Sequence, residues 1–152
     1  MATIDLGDDP LALDRQVCFA LSVASRSVIA IYRPLLKPYG LTHPQYLVLL
    51  ALWDRAPRTV KDLCETLRAE PATLSPLLKR LEALGYVKRE RNRADERALL
   101  VDLTDAGREF RKEAEKIPYR VVEELGMDLA ELEQLHAALG RVLAATERRG
   151  AV

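Results

Sequence analysis

Aromatic side chains are scarce in this chain of 152 residues: one Trp, five Tyr and two Phe make up 5%. Leu, Val and Ala must therefore supply most of the core, within a hydrophobic share of 49% that suffices for one compact unit. Cysteine is scarcer still. Cys18 and Cys64 are too few for a disulfide framework and are read as thiols. The two histidines, His43 and His136, lie far from both cysteines in sequence, so neither a metal site nor a cofactor is expected. Charge of one sign is missing too: 23 Lys and Arg balance 23 Asp and Glu, and only their distribution can speak for a polyanionic partner. No apolar run approaches the roughly 20 residues that span a bilayer. The acidic segment Met1–Pro10 has no basic stretch leading into an apolar one, so a cytosolic location is expected.

What is present is helical periodicity. From about Leu11 to Leu36, Val17, Ala20, Ala24, Val28, Ile31 and Leu35 recur at three- and four-residue steps, one apolar face of a long helix. Pro34 and then Lys37-Pro38-Tyr39-Gly40 close it. Thr42 as N-cap and Pro44 in the first turn open a second helix, whose body from Tyr46 to Trp53 is apolar almost all round and should be buried. Thr59-Val60-Lys61-Asp62 caps a third, with Val60, Leu63, Cys64 and Leu67 on one face. After a brief connection, Arg68 to Pro71, the leucines 74, 77, 78, 81 and 84 mark a fourth helix ended by Gly85. Pro76 suits it best if it starts near Thr73, where a missing N–H costs little. Two short helices so joined are a helix-turn-helix candidate.

The period then changes. Tyr86–Glu90 and Ala98–Leu103 read as strands around a charged turn, Arg91 to Arg97. Thr104 caps a further helix towards Gly126, interrupted or kinked at Pro118. Asp128 and Glu131 form a capping box for a last helix with Leu129, Leu132, Leu135, Leu139 and Leu143 on its face. The predicted order is α-α-α-α-β-β-α-α, a mainly helical winged helix-turn-helix with a small hairpin wing.

Opposite its leucines the fourth helix presents Thr73, Ser75, Lys79 and Arg80. Hydroxyls near a helix N-terminus can bond phosphate oxygens or base edges, and the cations can bind phosphate. The hairpin adds Lys88, Arg89, Arg91, Arg93 and Arg97 against Glu90, Asp95 and Glu96. Positive charge is thus concentrated in one stretch of a neutral chain, as double-stranded DNA binding requires. The plain alternative is a solvated surface of mixed charges.

The stretches Leu74-Ser75-Pro76-Leu77-Leu78-Lys79-Arg80-Leu81-Glu82, Gly85-Tyr86-Val87 and Asp95-Glu96-Arg97-Ala98-Leu99-Leu100-Val101-Asp102-Leu103-Thr104 resemble the MarR family of bacterial regulators. The resemblance spans essentially the whole chain. It implies one domain over residues 1–152, a homodimer held by helices in 11–40 and 105–149, and a DNA-binding region over 42–104. It also implies that the fourth helix enters the major groove and that Arg97, braced by Asp95, enters the minor groove, whose narrow negative potential suits an arginine.

Arg15-Gln16-Val17-Cys18-Phe19-Ala20-Leu21, Tyr32-Arg33-Pro34-Leu35-Leu36 and Leu41-Thr42-His43-Pro44-Gln45-Tyr46 resemble the organic hydroperoxide-sensing branch of that family. The resemblance implies a repressor that releases its operator when a peroxide oxidises Cys18 to a sulfenic acid, chemistry that needs the thiolate. Helical geometry adds that Cys18, Ser22, Ser25, Ile29 and Tyr32 share one face. Cys18 and Tyr32 nevertheless lie about 21 Å apart along the helix at 1.5 Å per residue, so Tyr32 can reach Cys18 only from a partner chain crossing in the opposite direction. Ser22 and His43 stand where the branch commonly has tyrosines. A protonated His43 would substitute by lowering the thiol pKa. With no C-terminal cysteine to resolve it, oxidised Cys18 would be capped by a small cellular thiol.

Blander readings stand beside these. Cys18 could be a small buried hydrophobe; Cys64, on an apolar helix face, reads as core, and so do Trp53 and Tyr46. His136 reads as structural. Other functions also fit: a MarR-type repressor released by a small apolar or phenolic ligand between the dimerisation and DNA-binding regions, an activator, a thiol peroxidase using Cys18, or a winged helix that binds protein instead of DNA.

Overall fold

The computed structural model describes residues 7–95 and 97–149. A 3-10 turn, Leu13–Arg15, leads into α1 (Val17–Leu36), which starts at Val17 and not at Leu11. Local side-chain bonds hold the preceding segment out of the helix: Leu11 N–H donates to the Asp9 carboxylate at 3.0 Å, and the Gln16 amide donates to the Pro10 and Ala12 carbonyls at 2.8 and 3.2 Å. A second 3-10 turn, Lys37–Tyr39, ends at Gly40 in the left-handed region (φ 70°). A Thr42–Gln45 capping box then opens α2 (His43–Asp54), which buries Tyr46, Val48, Leu49 and Leu52.

Next come α3 (Val60–Leu67) and α4 (Pro71–Ala83), the hairpin strands β2 (Val87–Arg91) and β3 (Leu99–Leu103), and α5 (Asp105–Ala114), α6 (Ile117–Leu125) and α7 (Leu129–Glu147). Before α3 lies a strand the sequence did not suggest, β1 (Arg58–Thr59), too short to show alternation. The antiparallel sheet has order β1-β3-β2, with Arg58 opposite Val101, Arg89 opposite Val101 and Arg91 opposite Leu99. The single helix expected from Thr104 to Gly126 is two. The break falls at Glu115 and Lys116, and Pro118 sits in the first turn of α6, where its fixed φ starts a helix instead of kinking one.

The core gathers Leu36, Leu49 and Leu52 with Leu63 of α3, Leu74, Leu78 and Leu81 of α4, and Val87 and Val101 of the sheet, all at most 2% exposed. It therefore sits beneath the helix-turn-helix and the base of the wing. Arg58 is buried beside it, its guanidinium donating to Ala51 O, Asp54, Asp62 and Thr66. By contrast α7 buries none of its residues, and Val17 and Phe19 of α1 are exposed. The stretch Val17–Tyr39 meets the length and apolar composition of a membrane span, mean hydropathy 1.3, which the sequence reading had not anticipated. It carries Arg26 and Arg33 and packs against α2 and α6.

Candidate functional site

Helix α4 begins two residues earlier than expected. Glu70 O accepts from the N–H groups of Thr73 and Leu74, each at 3.0 Å, so Pro71 takes the first helical position and needs no donor there. Pro76 consequently lies inside the helix, where its ring replaces the N–H that would donate to Ala72. Leu74, Leu78 and Leu81 point into the core, which turns Thr73, Ser75, Lys79 and Arg80 outward; all four are exposed. The turn before the helix passes through Arg68 in the left-handed region (φ 52°), and Arg68 is ion-paired with Glu147 at the end of α7.

The wing leaves α4 through Gly85. Its base is fixed by α5: Thr104 Oγ1 donates to Gly85 O, Thr104 N–H donates to Tyr86 O at 3.1 Å, and Gly107 lies so close that a Cβ there would fall 2.1 Å from Tyr86 O. Trp53 Nε1–H donates to Gly107 O at 2.9 Å, tying α2 to the same point. At the tip, Asn92 N–H donates to Ala98 O at 2.9 Å and Arg97 N–H donates to an Asp95 carboxylate oxygen at 3.0 Å. Asp95 thus braces Arg97 through the backbone; Glu96 between them lies outside the described residues. Arg91, Arg93 and Arg97 are exposed, and among the described residues no ion pair engages them, Lys79 or Arg80. Two expected cations differ. Lys88 pairs with Glu90 at 3.3 Å, and Arg89 is taken up by Glu82, a residue the sequence reading passed over.

Cys18 is the second residue of α1 and is exposed in the single chain. Ser22, one turn on, accepts from Arg26 at 3.1 Å. Tyr32, near the other end of α1, is half-buried against His43 and Tyr46, ring centroids 4.8 and 5.7 Å away. The structure thus joins Tyr32 to His43 and leaves Cys18 at the far end of the same helix. Burial raises the Tyr32 phenol pKa and, with Tyr32 alongside, pushes that of Tyr46 up to about 12. Both phenols keep their protons at neutral pH. Burial lowers the His43 pKa from 6.5, so the imidazole there is neutral, against the expectation of a charged one. Tyr46, a core residue by its sequence pattern, belongs to this nest as well, and its place one helical turn after His43 is the sequence signal for it. Cys64 is half-buried on the core face of α3, its pKa raised by burial and by Glu70 and Glu65. His136, expected to be structural, is exposed on α7.

A cleft of about 560 Å³ opens between α2 and α5–α6, with Tyr46, Trp53 and Tyr119 as aromatic walls and Arg111 at its rim. Arg111 donates to Trp53 O at 3.3 Å. Among the described residues no cluster of His, Cys, Asp and Glu could hold a metal ion.

An outward polar helix flank beside an arginine-tipped ribbon defines a winged helix-turn-helix DNA-binding protein. Residues 30–114 match the family described as transcriptional regulator SarA/Rot. TtmR of Methylorubrum extorquens PA1, an HTH-type transcriptional regulator, is 46% identical over 124 residues, 82% of this chain and 64% of that protein, so the match spans less than two thirds of TtmR. The organic hydroperoxide resistance transcriptional regulator of Bacillus subtilis 168 is 38% identical over 89% of this chain and 92% of that one. Reduced AbfR bound to DNA superimposes with a TM-score of 0.80 at 33% identity, covering 93% of this chain and 96% of that one. AbfR, from Staphylococcus epidermidis, has also been solved in overoxidised and disulfide forms. The chain belongs to the SarA/Rot and MarR family of winged-helix transcriptional regulators. It is a DNA-binding regulator and not an enzyme.

Proposed function

We propose that the protein is a homodimeric cytoplasmic repressor whose operator affinity is lost when an organic hydroperoxide oxidises Cys18. In this reading Thr73 and Ser75 of α4 meet base edges or phosphate in the major groove, Lys79 and Arg80 bind phosphate, and Arg91, Arg93 and Arg97 of the wing reach the backbone and minor groove. The single observation that carries the redox part is the placement of Cys18: an exposed thiol at one end of α1, with Tyr32, His43 and Tyr46 nested at the other. An antiparallel crossing of two α1 helices brings each thiol to the partner's nest. There phenol O–H donors and a neutral imidazole can stabilise a thiolate without adding charge. The thiolate attacks the peroxide, the O–O bond breaks, an alcohol leaves, and Cys18 becomes a sulfenic acid. A small cellular thiol then condenses with it, releasing water and leaving a mixed disulfide. The hydroperoxide-resistance relative and the disulfide form of AbfR support this chemistry. The overoxidised form of AbfR is bound to DNA, so the reading assigns release to the sulfenic acid and mixed disulfide and not to overoxidation.

The test is a titration of a DNA duplex, selected from a random library by the unaltered protein, with and without cumene hydroperoxide, on the unaltered protein and on Cys18→Ser. Loss of binding in the unaltered protein alone is expected. Loss in both excludes Cys18 as the switch. Loss in neither favours a second reading, suggested by the aromatic cleft with Arg111 at its rim: a repressor released by a small apolar or phenolic ligand, with Cys18 structural.

A further inference from the structure

In β2, alternation puts Val87, Arg89 and Arg91 on one face and Lys88 and Glu90 on the other. Val87 is buried, so the Arg89 face is the one turned towards α4. There Arg89 donates through both Nε and Nη2 to one carboxylate oxygen of Glu82, at 2.9 and 2.7 Å. Glu82 follows Ser75 by two helical turns, so it lies on the flank that α4 offers to DNA. A bare carboxylate there would repel phosphate.

We infer that Arg89 is a positioning residue and not a DNA contact: its two-point grip on Glu82 fixes the wing against α4 and so sets the separation between the side chains of α4 and the arginines at the wing tip. The base of the wing is anchored at Gly85 and Tyr86 by Thr104 and Gly107. Further up the hairpin, β1 holds only the β3 side, at Val101 and Leu100, whereas β2 is an edge strand with no strand partner on its other side. At about 3.3 Å per residue, Arg89 grips the strand about 10 Å beyond Tyr86, and Arg91 lies about 17 Å beyond it. A tilt of roughly 10° about the base would move Arg91 by about 3 Å, a whole hydrogen-bond length. The grip on Glu82 restrains β2 on the α4 side at the level where β1 holds β3, and so limits that tilt before DNA arrives. The Arg89 hydrogen bond also lowers the Glu82 pKa, so the carboxylate stays charged, and the pair engaged, to acid pH. Both side chains are partly solvated, at 28% and 39% exposure, so the pair acts mainly on geometry and little on stability.

The direct-contact alternative predicts the opposite sign. If Arg89 bound phosphate, Glu82→Gln would free it and remove a repulsive charge, tightening binding. The experiment measures binding of the library-selected duplex across a salt series for Glu82→Gln, Arg89→Gln and the exchanged pair Glu82→Arg with Arg89→Glu, alongside melting temperature and oligomeric state. The expected result is about tenfold weaker binding for each single variant, with the slope of log K against log salt and the melting temperature unchanged, and recovery in the exchanged pair. Tighter binding by Glu82→Gln, a slope shallower by about 0.9 for Arg89→Gln, or no recovery on exchange would overturn the inference. Loss of binding only in step with a lowered melting temperature would reduce the pair to a fold brace and overturn it too.

Discussion

Cys18 and His43 illustrate how the same helix distributes chemistry. His43 packs edge-on against Tyr32 and lies near Tyr46, and burial disfavours its charged form. If His43 meets the partner's thiol, His43→Phe changes the rate of Cys18 alkylation by iodoacetamide across pH 6 to 9; an unchanged profile removes His43 from the sensor. The depressed pKa also carries a linkage. Between the folded value and 6.5 the unfolded chain binds more protons, so stability is fully present above pH 6.5 and declines as the pH falls through that window. Urea melts at pH 7.5 and pH 5 should show a smaller loss in His43→Phe. At the wing, Arg97→Glu should weaken binding of the selected duplex by at least about 100-fold, since it removes one phosphate-attracting charge and adds a repulsive one. Sedimentation should show its oligomeric state unchanged. The motif around Arg97 was readable through its resemblance to the family's wing pattern, whereas the capture of Arg89 by Glu82 depends on how a strand folds back on a helix.

At the scale of elements, the leucines of α4 and the caps Thr59, Thr104 and Asp128 were legible because local hydrogen bonds and a 3.6-residue period decide them. The less legible features are those made by tertiary contact. Strand β1 exists because two residues pair with β3, and Pro76 falls inside α4 because Pro71 starts that helix two residues before Thr73. Arg58 is the sharpest case: a cation 6% exposed, satisfied by two carboxylates, a hydroxyl and two main-chain carbonyls nearby. Arg58→Ala removes a buried side chain and its hydrogen bonds, while Asp62 keeps Arg55 and Asp54 keeps water, and should cost about 2 kcal/mol in a denaturant melt. Gly107→Ala should cost about 2 kcal/mol, because the added methyl meets a backbone oxygen that α5 and the wing base hold in place. Duplex binding should weaken with it, since the wing base must shift.

The whole molecule leaves large apolar surfaces open in a single chain. Val17, Phe19 and Val23 of α1, Tyr119 and Val122 of α6 and Leu129, Leu135, Val142 and Leu143 of α7 are all exposed. In the proposed homodimer a second copy would cover these apolar side chains. The end of α7 reaches the turn before α4 through Glu147 and Arg68, so in the proposed dimer a shift between subunits would have a direct route to α4. All of this requires two α1 helices to cross in opposite directions, bringing the thiol of one beside the phenol of the other. Intersubunit disulfide formation measures that geometry. In a Cys64→Ser background, Tyr32→Cys treated with a mild oxidant should run as a covalent dimer on a non-reducing gel, and the same chain with Cys18→Ser should not. A Tyr32→Cys protein that stays at single-chain mass, with both thiols still titratable, would contradict the account.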